Sequence, residues 1–303
     1  MATEEAAPST ADVWTVQRIL TWTSSFLKKK GVESARLESE LLLSHARCCT
    51  RIDLYANLHS VVSDDERQRM REMVQRRSGR EPLAYIIGQR EFYGRPFEVG
   101  QGVLIPRPET ETLVDTCLEE IPKDAPTRII EVGFGSGCVA ITIALQRPQC
   151  RIFATDISTK AMTFGQKNCA RHRVADRVTL IPGDALTPFR SGEEFSILPD
   201  RFDGLVSNPP YVRDDEWSGL QPEVGQHEPR EALTAGTDGL DVVRRIIADA
   251  QDILRPGAFL AMELDPSQCQ TVIELLHQSG FEHGRIRKDL SGCDRIVQAV
   301  RSE

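Results

Sequence analysis

At 303 residues the chain is long enough for two modest domains and a substantial core. Its composition, 40% hydrophobic, 27% charged and 6% aromatic, excludes a collagen-like or wholly disordered chain. The net charge of −8 and a pI of about 5.4 show no overall basic excess of the kind a general duplex-DNA binder sets against phosphates, although a local basic patch is compatible with these totals.

The eight cysteines, at 48, 49, 117, 138, 150, 169, 269 and 293, form no C-x-x-C pair and have no histidine at zinc-ligand spacing. They read as reduced thiols, mostly packing residues, and no metal is expected. The amino end, MATEEAAPSTAD, is acidic and lacks both the apolar stretch of a signal peptide and the arginines of a transit peptide. No run approaches the roughly 18 apolar residues of a membrane span. These features predict a cytoplasmic protein.

The first eighty residues read as helices. Between Asp12 and Lys30, Val13, Val16, Ile19, Leu20, Phe26 and Leu27 recur at three-to-four spacing, and Lys28-Lys29-Lys30-Gly31 stops the helix with cations at its negative end. A second helix is predicted over 33–47, and Ser63-Asp64-Asp65-Glu66 is a capping box opening a third through Arg77, with Thr50 capping a short one between. Arg67, Arg69, Arg71, Arg76 and Arg77 make that third helix either a solvated face or a surface for an acidic partner. From Tyr85 to Pro108 glycine, aromatic and β-branched residues predict a hairpin of two short strands, dividing the chain into 1–84, 85–108 and 109–303. Strand-like runs then follow at 128–132, 151–155, 177–181, 202–206, 258–263 and 295–300, mostly separated by helical segments. That alternation predicts an α/β fold with a mostly parallel, doubly wound sheet, whose ligands sit at the carboxyl ends of the strands.

After the first of these strands comes Glu131-Val132-Gly133-Phe134-Gly135-Ser136-Gly137-Cys138. Three glycines let the backbone turn tightly and approach a ligand. The dinucleotide fingerprint needs a glycine where Cys138 stands, so the match is to G-x-G-x-G, which favours S-adenosylmethionine over NAD. Asp156, ending the second strand, is placed to accept ribose hydroxyls, and Asp184, ending the third, to hold an adenine amino group. A tight strand–helix turn also uses glycine without any ligand, so the loop counts chiefly in combination with these acids and with SNPPYV after the fourth strand.

In that last stretch, Asn208 and the carbonyl of Pro209 can each accept one N–H of a planar NH2 group, directing the nitrogen lone pair at a methyl sulfonium carbon. Pro209 and Pro210 fix the backbone without adding donors, and Tyr211 offers a flat face for a planar amide or base. No histidine or lysine stands where a general base would be expected; His227 reads as a packing or loop residue. NPPY by itself leaves glutamine and adenine both open as acceptors.

The chain resembles the HemK/PrmC-type peptide-chain-release-factor glutamine methyltransferases. The resemblance is carried by GQREFYGRPFEV and VLIPRPETETLVD (88–115), EVGFGSGCVAI (131–141), TDIS (155–158), FDGLVSNPPYV (202–212), EPREAL (228–233), DGL (238–240) and DLSGCDRIV (289–297). It implies a helical N-terminal domain that docks substrate, a hairpin linker, and a class I S-adenosylmethionine-dependent methyltransferase domain with seven strands, the last antiparallel. It also implies N5-methylation of the glutamine in the Gly-Gly-Gln loop of class 1 release factors, without direct nucleic-acid or membrane binding, by a monomer. Carried over by motif, Gly133, Phe134, Gly135, Ser136, Gly137, Asp156, Asp184, Ala185 and Asn208 bind the cofactor, and Asn208, Pro209, Pro210 and Tyr211 hold the glutamine, with Asn208, Pro209 and Tyr211 catalytic. Phe134 replaces a usual small residue, which puts the loop's contact with the methionine end in question, and His227 replaces a tyrosine. An N6-adenine DNA methyltransferase, a ribosomal-protein glutamine methyltransferase and a non-catalytic nucleotide binder are the competing readings. The acidic charge, the IPRPETE segment and the retained glycines with Asn208 argue against them in turn.

Overall fold

The computed structural model describes residues 13–190 and 201–303; the acidic amino end over 1–12 lies outside them. Two compact units divide between Ile87 and Gly88.

The first unit is helical: α1 (Val16–Lys29), α2 (Ala35–Arg47), α3 (Arg51–Ala56), α4 (Asp64–Ser78) and α5 (Leu83–Ile87). Its ends follow local chemistry. Thr50 with Asp53, and Ser63 with Glu66, form reciprocal capping boxes that satisfy the first free N–H groups of α3 and α4. The α1 stripe of Val16, Ile19, Leu20 and Leu27 packs on Leu42, Leu43, Leu54, Met70 and Val74. Residues 83–87 are helical, not the start of a hairpin, because Tyr85 and Ile86 are buried and the carbonyl of Pro82 accepts both their N–H groups. The arginines of α4 are not one free face. Arg77 is buried against Glu38, Arg76 pairs with Glu81 and Arg69 donates to the carbonyl of Ala46, leaving Arg71 among the exposed ones.

In the second unit a hairpin of β1 (Gln89–Phe92) and β2 (Arg95–Glu98) turns at Tyr93-Gly94. Next come α6 (Glu111–Glu120), β3 (Thr127–Val132), α7 (Cys138–Gln146), β4 (Cys150–Asp156), α8 (Thr159–Arg171), β5 (Val178–Pro182), α9 (Thr187–Arg190) and β6 (Phe202–Ser207). The chain closes with α10 (Pro222–His227), α11 (Asp241–Ile253), β7 (Leu254–Glu263), α12 (Cys269–Gln278), β8 (Phe281–Lys288) and β9 (Asp294–Arg301). The seven-stranded sheet has the order β5-β4-β3-β6-β7-β9-β8, parallel except for β9, which runs antiparallel to both neighbours. Helices α6, α7 and α8 cover one face through Leu113, Val114, Ile141 and Cys169; α11 and α12 cover the other through Val243, Ile246, Val272 and Leu276. This is the doubly wound class I methyltransferase fold.

Six of these strands stand out as apolar runs, and β8 does not. Most of FEHGRIRK is exposed at the sheet edge, with a register irregularity between Glu282 and Arg285, so no apolar alternation marks it. No helix among the described residues is long and apolar enough to cross a membrane. All eight cysteines are free thiols, with Cys117, Cys150, Cys169 and Cys269 buried.

The strand order reverses between β3 and β6, which pair in parallel with Val132 opposite Ser207. The next residues, Gly133 and Asn208, therefore leave the sheet side by side at the switch point, where such folds bind ligands.

Candidate active site

A cavity of about 350 Å³ opens at this point. Its wall includes the glycine loop, Asp156, Asp184, Ala185, Asn208, Pro209 and Pro210. Most residues singled out in the sequence are thus in one place. Gly137 and Tyr211 are not in the wall, for reasons visible in their packing.

The loop is fixed from below. Gly133 and Phe134 donate their N–H groups to the carbonyl of Thr155, at 2.9 and 3.0 Å, and Gly135 donates to Asp156 Oδ2 at 2.8 Å. The other Asp156 oxygen accepts the Ser158 N–H at 2.8 Å. Burial raises the Asp156 carboxyl above the usual carboxylate range, against the pull of these backbone donors. Gly137 caps α7 with φ +82°, a left-handed conformation, and a Cβ there would sit 2.5 Å from the Phe134 ring. The third glycine therefore serves the turn and the packing beneath it.

Phe134 explains its own departure from a small residue. The side chain is only 2% exposed, and its ring is directed into the core against α8, where Gly165 leaves the space. What this bulky residue reshapes is the packing under the loop.

Glu131, at the penultimate position of β3, was missed as a site residue although it heads the quoted glycine motif. It lines the cavity and accepts the Ala140 N–H at 3.1 Å, with burial holding its carboxyl well above the ordinary range. Asp184 lies two residues beyond the end of β5, not on the strand, and pairs with Arg245 at 2.7 Å. Asn168, fully buried on α8, bonds the carbonyl of Ser136 and both backbone groups of Glu98, tying the hairpin to the glycine loop.

The IPRPETE segment joins the pieces. Glu228, buried in the EPREAL motif, accepts the Ile105 N–H at 3.1 Å and pairs with Arg107 at 2.5 Å. Thr110 Oγ1 accepts from Asn208 Nδ2 at 3.2 Å, and Glu111 accepts the Tyr93 N–H at 2.7 Å. Arg107 and Thr110 are themselves cavity residues, as are Glu231 and Arg245. The IPRPETE motif marks Arg107 and Thr110 as part of a block; which atom each holds depends on contacts with Glu228 and Asn208, far away in the sequence.

Tyr211 is held behind the wall. Its hydroxyl reaches Glu263 Oε1 at 3.5 Å, and burial together with the Glu263 charge raises the phenol's pKa. Its carbonyl accepts from Gln268 at 2.9 Å, and Gly239 of the DGL motif comes so close that a Cβ would lie 2.1 Å from that oxygen. Val212 is pinned to Leu233 and Ala235 by backbone bonds. NPPY is thereby braced on both sides. His227 ends α10 with a buried Nε2 that has no hydrogen-bond partner among the described residues, and it is not among the cavity residues.

The comparisons agree with this architecture. Residues 18–88 match the family model described as the PrmC N-terminal domain, and residues 110–223 the one described as the methyltransferase small domain. The release factor glutamine methyltransferase of Geobacter sulfurreducens is 41% identical over 286 residues, spanning 94% of this chain and 96% of that one. The protein of the same name from Rhodopirellula baltica is 38% identical over 296 residues, spanning 95% and 97%. Among solved structures, the hMettl16 catalytic domain in complex with MAT2A 3′UTR hairpin 6 is alike in fold, with a TM-score of 0.55 at 17% identity over 80% of this chain and 84% of that one. With such identity sustained along almost the full length of both chains, this protein belongs to the release factor glutamine methyltransferase family.

Proposed function

We propose that this protein transfers the methyl group of S-adenosylmethionine to the side-chain amide nitrogen of the glutamine in the Gly-Gly-Gln loop of class 1 peptide chain release factors. The observation that carries the reading is the place of Asn208: half-buried in the cavity wall beside Gly133, with its Nδ2 held by Thr110.

The cavity suits the cofactor chemically. Four carboxyl groups line it, of Glu131, Asp156, Asp184 and Glu231, against the two guanidinium groups of Arg107 and Arg245, and that acidic excess favours a ligand carrying a sulfonium and an ammonium group. Its volume falls within the range of about 300–1,000 Å³ usual for small-molecule sites. Gly133, Gly135 and Ser136 would hold the methionine end, Asp156 the ribose, and Asp184 with Ala185 the adenine. Each Asp156 oxygen spends one acceptor site on a backbone N–H and keeps another for a hydroxyl. When bound, S-adenosylmethionine supplies an electrophilic methyl carbon.

The protein's task is to make an amide nitrogen nucleophilic, since its lone pair is delocalised into the carbonyl. Asn208 Oδ1 and the carbonyl of Pro209 accept the two N–H groups of the glutamine and hold the NH2 group in one orientation. Pro209 and Pro210 keep those acceptors rigid and bring no donor of their own. Tyr211, anchored at Glu263, supports this wall from behind. The surplus proton leaves to solvent after transfer, so the scheme has no dedicated base.

The helical unit fits the role of docking the release factor, with half-exposed Trp22 stacked on Phe26 at 5.1 Å beside Arg67 and Arg71. The whole reading describes a cytoplasmic, monomeric enzyme that meets its protein partner without nucleic acid or membrane. Labelled S-adenosylmethionine offered with purified release factor, and separately with duplex DNA, tests it. Label on the release factor alone is expected; label on DNA would favour an adenine acceptor instead.

A further inference from the structure

Among the described residues of the second unit, two large apolar side chains are mainly exposed, Ile157 and Leu290. Ile157 lines the cavity, so the cofactor reading accounts for it. Leu290 is 98% exposed, lies outside the cavity wall, and stands in the loop that joins β8 to β9. A lone apolar residue on a surface is ordinary, so the weight falls on how this loop is built and where it stands.

The loop is held tightly. The Asp289 side chain is only 2% exposed; its Oδ1 accepts the N–H groups of Ser291 and Cys293 at 2.9 and 3.0 Å, and its Oδ2 accepts from Arg295 Nε at 3.2 Å. The Asp289 N–H donates to the carbonyl of Cys293 at 2.9 Å, and Gly292, with φ +82°, donates to the carbonyl of Asp289 at 2.9 Å. Arg295 ties the loop to the sheet through the carbonyl of Leu264, at 3.3 Å. Asp289 and Gly292 specify this turn; the side chain at 290 adds nothing to it, and folding leaves it in water.

The place of the loop supplies a use. Strand β9 runs antiparallel to β7 with Ile296 opposite Glu263, so the loop lies at the carboxyl ends of the parallel strands, the edge where Asn208 leaves β6. It is two to three strand spacings from β6 in the sheet order, about 10–14 Å at about 4.8 Å per strand. A stable protein–protein interface covers about 800 Å² on each partner, and a round patch of that area reaches about 16 Å from its centre. A protein substrate centred on Asn208 therefore extends over this loop, whereas a small ligand in the cavity does not. We infer that the β8–β9 loop is a docking contact for the body of the release factor, with Leu290 packing on an apolar surface of the factor beside its Gly-Gly-Gln loop. The ion pair of Lys288 with Asp294, at 2.8 Å, gives that contact a polar rim.

The inference rests on the reading of the release factor as substrate. Binding of a purified class 1 release factor to the protein, both in the presence of S-adenosylhomocysteine, is measured by calorimetry for wild type, Leu290→Ser and Leu290→Met. Leu290→Ser should weaken binding by about tenfold or more, the loss expected when one buried leucine contact is removed, and Leu290→Met should recover most of it. In turnover the effect of Leu290→Ser should fall on KM for the release factor more than on kcat. Thermal unfolding and the affinity for S-adenosylhomocysteine, neither of which involves this exposed side chain, check that the variants are intact. A Leu290→Ser protein that binds the factor as tightly as wild type, or a loss that Leu290→Met does not repair, overturns the inference. Wild-type binding without methyl transfer would end the substrate reading alone, with the Leu290 comparison still deciding the contact; no binding by wild type counts against both.

Discussion

Gly165 should be one of the most sensitive positions outside the cavity wall, and its sensitivity should depend on Phe134. In an ordinary helix interior, exchanging glycine for alanine stabilises by about 1 kcal/mol. Here a Cβ at Gly165 would lie 2.1 Å from Phe134 Cε1, on a ring that is itself buried. Overpacking of this kind costs about 1–3 kcal/mol, and the short distance argues for the upper part of that range, a net loss of about 2 kcal/mol for Gly165→Ala. Phe134→Ala alone removes a buried aromatic side chain and should cost about 3–5 kcal/mol. In that background the obstruction is gone, so adding Gly165→Ala should stabilise by about 1 kcal/mol. The sign of one substitution therefore reverses with the other, a coupling of about 3 kcal/mol, measurable by denaturant unfolding of the four proteins. Because Phe134 also bonds Thr155 and Gly137 through its backbone, Gly165→Ala should weaken S-adenosylhomocysteine binding in calorimetry. The same sign of effect in both backgrounds would refute the packing argument.

Asn208→Ala should reduce turnover by more than about a hundredfold, the cost of losing a fixed acceptor at the reacting group; a near-normal rate would end the clamp account. Glu228→Ala should lower the melting temperature and cost about 1–3 kcal/mol, since it leaves the buried Ile105 N–H without its acceptor and frees Arg107. Stability should also respond to pH through Glu131. Its folded carboxyl is raised well above 4.5 by burial, so the folded state holds that proton to higher pH than the unfolded chain does. Its contribution is then fully present below about 4.5 and lost as pH rises toward the folded value, and Glu131→Gln, which can still accept the Ala140 N–H, should gain on wild type over that interval. A difference between the two that is flat in pH would contradict this.

Local chemistry made much of the fold legible. The capping boxes at Thr50 and Ser63 mark helix starts because two side chains three residues apart suffice to make them, and the buried strands stand out as apolar runs because both their faces are covered. The edge strand β8 has neither property and left no trace in the pattern. At the candidate site, loops after adjacent parallel strands emerge together, so Gly133, Asp156 and Asn208 could be grouped from strand order alone. The directions of individual side chains could not. Phe134 turns inward because Gly165, on a different element, makes room, and Tyr211 turns back because Glu263 waits at the end of β7. Such choices belong to tertiary packing, which spacing along one chain does not record.

The most direct measurement of the central claim is site mapping of the transferred methyl group. The protein, labelled S-adenosylmethionine and a class 1 release factor are incubated together, in parallel with a release factor whose Gly-Gly-Gln glutamine is changed to alanine. The account predicts one methyl group on the side-chain nitrogen of that glutamine and none on the altered factor. Equal label on both would contradict it.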